Sequence, residues 1–365
     1  MIGVDSLIAS AETDAAAWDE SGLPVEVIEA AAKAGVLGLD RSTDYGGLGL
    51  TAVELGSVAE RLGAVCTSLR SLLTIQGLVN ASVDRWGTPE QRAQWLPALT
   101  TGERLAGFAA TETGAGSDLA SVSTTFEPHG SDHRISGRKL WVTFGEVADV
   151  LLVLGRSPAG LMTALVETNS PGVSVDPIHG QLGMRGARLA HIGLDEVVVP
   201  ADHLIAPPGF GLSHVVSTAL DHGRYTIAWG CVGMSRACLG DVVAHAATRV
   251  QGSTVLSEHD GVRAIVGRSW VDAAGARALC ERAAEQRDAH KPTAIFATVA
   301  AKFAASQVAA SVSQHAVQVL GAAGCASDSR VGRFFRDAKV MQIIEGATEV
   351  AELQLGDYVL GGGAR

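Results

Sequence analysis

Apolar positions recur at helical spacing over the first hundred residues, and turns break the pattern into separate helices. Pro24 suits a first helical turn, Tyr45 to Gly49 forms a glycine loop, and Thr88-Pro89-Glu90-Gln91 offers an N-cap with a capping-box glutamine three residues on. From about residue 105 the period changes. Ser121 to Glu127 and Lys139 to Phe144 alternate, while Val150 to Leu154 and Val197 to Val199 are short apolar runs, with Gly, Pro, Asn and Asp clusters between them. Short strands at this spacing predict a barrel or a sandwich. After Pro207-Pro208 an Ala/Val-rich helical pattern returns, with breaks expected near Gly252, Gly261, Pro292, Gly321 to Gly324 and Gly346. Four or five helices fit there, enough for a bundle. The pattern divides the chain into a helical domain (1–104), a central β domain (105–207) and a helical bundle (208–365).

Composition narrows the class. Of 365 residues, 47% are hydrophobic and 18% charged, so the chain can bury a large core and is not disordered. The net charge of -11 opposes nucleic acid as a partner. No uninterrupted apolar stretch has the length of a membrane span, and the N-terminus carries Asp5, Glu12 and Asp14 where a targeting peptide would be basic. The expectation is a cytoplasmic protein without a membrane partner. Five scattered cysteines, none spaced as CxxC, suit reduced thiols. His129 and His133 have the spacing of a metal-ligand pair, but Pro128 and Gly130 deny them a helix and no third ligand is near, so no metal is expected. GxSxG, Walker and GxGxxG signatures are absent.

Three segments could carry chemistry. Gly107 to Asp118 leaves a strand through a glycine-rich loop bearing Thr111, Thr113 and Ser117, which suits close approach to a phosphate or heterocycle, or a plain turn. Trp141 and Thr143 lie two apart on an expected strand and should point the same way, as a flavin ring requires, although a strand Trp also serves as core or surface. Glu345 ends the apolar stretch Val340 to Ile344. Desolvation there would raise its pKa toward that of a neutral-pH base; the other reading is a helix-end acid meeting solvent.

In combination the segments resemble one family. TETGAGSD (111–118), GRKLWVT (137–143), LGMRG (182–186), LDHGR (220–224), AVQVLGAAG (316–324), RFFRDAKV (333–340) and IIEGATE (343–349) are similar, in order and spacing, to the flavin-dependent acyl-CoA dehydrogenases over nearly the whole chain. The resemblance implies an N-terminal helical domain, a central β domain and a C-terminal four-helix bundle, assembled as homodimers or homotetramers. It implies FAD as cofactor, with Thr111 and Ser117 hydrogen-bonding it, Trp141 packed on its ring system and Thr143 near the N5 edge. Arg249 and Gln318 match residues that reach FAD of a neighbouring subunit. Asp221 matches a residue near the pantetheine arm, Arg224 one beside the catalytic carboxylate, and Glu345 the base. Some branches place the base just before the LDxxR arginine, where this chain has Gly223. The implied reaction removes an α-proton from an acyl thioester while hydride leaves the β-carbon for the flavin, so base and cofactor flank the substrate.

The chain departs from the family pattern at Phe144, Gly252, Cys325 and Ala347, which bear on flavin affinity and subunit contacts. The segment Cys66 to Gln76 resembles the one that gives glutaryl-CoA dehydrogenases an arginine for the substrate's far carboxylate, and Arg70 matches that arginine. An arginine among Leu69, Leu72 and Leu73 is costly to bury unpaired, so it meets an anionic ligand, a protein acid or water. The chain also resembles the polyketide-cluster enzymes that make methoxymalonyl-type extender units on an acyl carrier protein. The expected substrate is thus a short polar acyl thioester on acyl carrier protein or CoA. The alternatives are a catabolic short-chain or dicarboxylyl acyl-CoA dehydrogenase, and a flavin-free binding relative.

Overall fold

The computed structural model describes residues 2–363. The chain opens with α1 (Ile2–Ser21), α2 (Val25–Lys33), α3 (Ala52–Gly63), α4 (Thr67–Trp86) and α5 (Pro89–Thr101). Capping boxes start α3, through Thr51 and Glu54, and α5, through Thr88 and Gln91 with Pro89 in the first turn. Every residue of α4 from Thr67 to Val83 is buried, so its polar side chains must find partners inside the protein. Gln76 does so by donating to the carbonyls of Leu99 and Arg104 and accepting from the Ala106 amide, which ties α4 to α5 and to the first strand.

The middle of the chain forms β1 (Ala106–Ala109), β2 (Thr125–His129), β3 (Asp132–Val142), β4 (Val150–Ser157), β5 (Gly160–Glu167), β6 (Val173–Pro177), β7 (Ala190–Val199) and β8 (Leu204–Ile205). These make one eight-stranded sheet in the order β6-β7-β3-β2-β4-β5-β8, with β1 parallel to β4. Phe126, Ile135, Leu151, Val153, Val166, Ile192 and Val197 from its different strands share one core. Leu152 and Leu154, from the other face of β4, enter two further clusters. Burial on both faces is why β4 reads as a continuous apolar run. The strand expected from Ser121 begins only at Thr125, because the amides of Ser123 and Thr124 bond to the Glu112 carboxylate instead of to a neighbouring strand.

A π-helical turn (Gly211–Val216) leads into α6 (Ser217–Thr248), and the hairpin β9 (Val250–Gln251) and β10 (Thr254–Val255) joins it to α7 (Asp260–Asp288). Then come α8 (Ala294–Leu320), α9 (Arg330–Met341) and α10 (Thr348–Leu360). The breaks expected near Gly252 and Gly261 are the two ends of one connection: the turn is made at Gly252, and Gly261 falls in the first turn of α7, which starts at Asp260. Helices α6 to α9 pack as a bundle with α10 laid on α8. Helices α3 and α4 pack on α6, so Leu69, Leu73, Tyr225, Trp229, Ala305 and Phe334 belong to one continuous core. Contact between α3 and α6 is so close that a Cβ on Gly233 would stand 1.9 Å from the Glu60 carbonyl oxygen. The stretches Gly211–Thr248 and Ala294–Cys325 are long and apolar enough to cross a membrane by length and composition; both are packed into this bundle.

The LGMRG segment docks the sheet onto the helices. The Met184 amide donates to Asp337 of α9 at 2.6 Å, and a Cβ on Gly183 would stand 2.7 Å from the Arg336 carbonyl oxygen. These contacts fix the β domain relative to the α9–α10 turn.

Candidate active site

Glu345 sits in the turn between α9 and α10 with φ 54°, followed by Gly346 with φ 98°. A left-handed backbone at a non-glycine residue is strained and persists only where its surroundings impose it. Two buried cations do so here. Arg224 Nε of α6 donates to the Glu345 carbonyl at 2.7 Å, and Lys302 Nζ of α8 donates to the Gly346 carbonyl at 2.7 Å. The resemblance implies that Arg224 lies beside the carboxylate; in the structure it holds the backbone beneath it.

The Glu345 side chain points at α6. Its Oε2 is enclosed and has no hydrogen-bond partner, and a Cβ on Gly223 would stand 2.8 Å from its Cδ. Burial pushes the carboxyl up to about 7, against the opposing charges of Arg224, Lys302 and Arg70. A carboxyl with this environment can accept a proton near neutral pH. It is not the solvent-facing helix end that the residue pattern also allowed.

Arg70 is 1% exposed and forms no ion pair among the described residues. Its Nη1 donates to Thr74 Oγ1 at 2.7 Å and its Nη2 reaches Met341 Sδ at 3.1 Å. Burial lowers its pKa. The protein acid and the escape to water are therefore both excluded, leaving a desolvated cation beside Glu345. Thr74 also pairs with Thr226 Oγ1 at 2.9 Å, extending the polar patch across α4 and α6. Sequence reasoning passed over Thr74, Thr226 and Lys302. A lone lysine inside the Ala-rich run Val299 to Ala304 was the available signal.

The other group of residues lies on the sheet. Glu112 anchors the glycine-rich loop by accepting from the amides and hydroxyls of Ser123 and Thr124 and from buried Lys139 at 2.6 Å. Burial disfavours its charge, but these bonds outweigh that and hold the carboxyl at about 2. The Thr111 carbonyl accepts from the Leu140 amide at 2.9 Å, which sets the loop against the strand end that carries Trp141. Trp141 is 52% exposed, Thr143 and Thr111 are half-buried, and Ser117 is exposed. Burial alternates as expected, with Val142 and Phe144 buried on either side of Thr143, but the strand itself is irregular here. The β3–β7 register shifts between Lys139 and Val142, Trp141 has φ 59°, and β3 ends at Val142.

Three expected residues stand apart from Glu345. Asp221 accepts from Arg287 through Oδ2 at 2.6 Å and keeps Oδ1 buried without a partner. Arg249 caps the far end of α6, 25 residues and so about 37 Å along the helix from Arg224. Gln318 is exposed near the end of α8. His129 and His133 flank the β2–β3 turn, and no metal-holding cluster occurs among the described residues.

Comparison with known proteins decides between the enzyme and the binding relative. Residues 7–103, 107–197 and 210–360 match the N-terminal, middle and C-terminal domains of acyl-CoA dehydrogenase. The chain belongs to the acyl-CoA dehydrogenase family. The mouse mitochondrial short-chain specific acyl-CoA dehydrogenase is 28% identical over 343 residues, 92% of this chain and 83% of that protein. Among solved structures, FkbI, described as acting in biosynthesis of the methoxymalonyl extender unit of the polyketide Fk520, is 36% identical. It has a TM-score of 0.92, covering 98% of this chain and 99% of that one. A glutaryl-CoA dehydrogenase from Mycobacterium smegmatis in complex with FADH2 is 27% identical with a TM-score of 0.92, covering 98% and 94%.

This acyl-CoA dehydrogenase is therefore an FAD oxidoreductase, and its residues fit that cofactor. Cβ positions on Gly114 and Gly116 meet nothing within 4 Å, so the loop backbone is open to a ligand, and Trp141 presents an uncovered indole beside it. Thr111, Ser117, Trp141 and Thr143 would hold the group on the sheet side, while Glu345 lies on the helical side.

Proposed function

We propose that this acyl-CoA dehydrogenase oxidises a short acyl thioester with a polar or anionic end, carried by acyl carrier protein or CoA. The observation that carries the reading is the combination of an enclosed Glu345 Oε2 that has no hydrogen-bond partner with a buried Arg70 that forms no ion pair among the described residues. Glu345 takes the α-proton, and Arg224 holds its backbone so that the carboxyl faces one side of the substrate. Bound FAD, held by Thr111, Ser117, Trp141 and Thr143, would supply the hydride acceptor. Arg70, with the hydroxyls of Thr74 and Thr226, recognises the far end of the acyl group, and Asp221 meets the pantetheine arm.

The similarity to FkbI supports a carrier-linked substrate in polyketide extender-unit biosynthesis. The similarity to a glutaryl-CoA dehydrogenase favours a second reading, catabolic oxidation of a dicarboxylyl or short-chain acyl-CoA, for which Arg70 serves equally. In either case the reading includes a cytoplasmic enzyme with reduced cysteines, all five of which are unpaired. A homodimer or homotetramer belongs to it as well, because Arg249 and Gln318 match residues that reach FAD of a neighbouring subunit.

The test is flavin reduction by a panel of polar and unsubstituted acyl groups, each on CoA and on acyl carrier protein, with wild type and Glu345→Gln. The variant should bind FAD and be reduced roughly 10²- to 10⁴-fold more slowly. Near-normal reduction in Glu345→Gln would move the base elsewhere, and preference for CoA thioesters would favour the catabolic reading.

A further inference from the structure

Lys302 is 2% exposed, lies in the middle of an apolar helix and forms no ion pair among the described residues. A buried ammonium without a carboxylate is retained only where something else needs it. It donates to the carbonyl of Gly346, the residue that follows Glu345. Together with Arg224 it grips consecutive carbonyls of a turn whose two residues both have positive φ. Both cations also line a small cavity behind that turn, with Val299, Ala351 and Gln354.

We propose that Lys302 is a positioning residue for Glu345: its ammonium fixes the Gly346 carbonyl and stands as a buried positive charge beside the carboxylate. The inference rests on the reading of Glu345 as base and explains how a desolvated carboxyl stays ionisable at working pH. The charged groups around that carboxyl are Arg70 from α4, Arg224 from α6 and Lys302 from α8, with Asp337 acting on Arg70 and Asp221 on Arg224. Cys231, which faces both Arg70 and Lys302, has its thiol pushed up to about 11 by burial and is neutral. Burial and the like charge of Arg224 lower Lys302 itself to about 8, against the attraction of the Glu345 carboxylate.

The experiment is an infrared pH titration of the FAD-loaded protein without substrate. The carboxylic acid band of Glu345 is identified as the one missing from Glu345→Gln. In Lys302→Met and Lys302→Gln that band should persist to higher pH by roughly one to three units, the usual effect of losing a nearby opposite charge. The acid limb of flavin reduction should move with it, lowering kcat at neutral pH more than it raises KM. Lys302→Arg, which restores charge, should return the titration toward wild type. Melting curves and flavin content establish that each variant is folded, and if Lys302→Met is not, Gln against Arg decides. An unmoved band in the neutral variants, or an equal movement in Lys302→Arg, overturns the proposal. Should no thioester reduce the wild-type flavin, the functional reading fails, while the infrared titration still decides the role of Lys302.

Discussion

Arg70 Nη2 ends 3.1 Å from the sulfur of Met341, the last residue of α9 and four residues before Glu345. A thioether is a weak acceptor, so the contact occupies a donor without neutralising the charge. The guanidinium therefore bridges α4 to the segment that carries the base, while no carboxylate among the described residues pairs with it directly.

For a substrate with a carboxylate, Arg70→Ala should cost about 2 to 5 kcal/mol in kcat/KM and leave an unsubstituted short acyl thioester nearly untouched. Arg70→Lys should rescue only in part, because it keeps the charge and loses the fork. Arg70→Met should melt higher than wild type, since it removes an unpaired buried charge. Equal losses on both substrates, with flavin retained, would make Arg70 structural.

The raised carboxyl of Glu345 also sets a pH dependence of stability. Its folded pKa of about 7 exceeds the ordinary 4.5, so between these values the folded state holds a proton that the unfolded state releases. Stability from this group therefore falls as pH rises through that window. Glu345→Gln should gain melting temperature over wild type at pH 8 and little at pH 4, and paired thermal melts at the two pH values check it.

Glu112 behaves in the opposite sense. Held at about 2, it contributes stability above its ordinary pKa that is lost as pH falls toward 2. Glu112→Ala leaves Lys139 buried without its partner, a change that typically costs about 3 to 5 kcal/mol at neutral pH, and it frees the glycine-rich loop. Denaturant titration and retained FAD should both show the loss, and the stability difference should shrink toward pH 2.

Arg249 and Gln318 test the shared cofactor site. Sedimentation should give a dimer or tetramer, and Arg249→Ala should weaken FAD retention without altering the melting of the apo chain. A flavin-loaded, active monomer would refute the sharing.

Periodicity was enough to read the order of helical, sheet and helical regions, because long amphipathic segments and capping boxes are local. Two strand limits differ from the pattern for identifiable reasons. Glu112 takes the amides that would have started β2 early, and an irregular register around Trp141 ends β3 at Val142, leaving Thr143 beyond the strand. Neither contact is visible within a short window of sequence. The base at Glu345 was legible from its apolar approach and its motif. Arg224 was legible beside it from the LDHGR motif, but that it and Lys302 hold the turn was not, because both bind backbone carbonyls, and a carbonyl has no signature in the sequence. Arg70 could be flagged as an anomaly among leucines, but that no acid reaches it is a fact of three-dimensional packing.

The contact between Gly223 and Glu345 constrains what can stand beside the base. A Cβ at 223 would stand 2.8 Å from the Glu345 Cδ, so a larger side chain there would have to displace the carboxyl from its present place. A glutamate introduced at 223 would therefore compete with Glu345 for the same space instead of adding a second acid to the site.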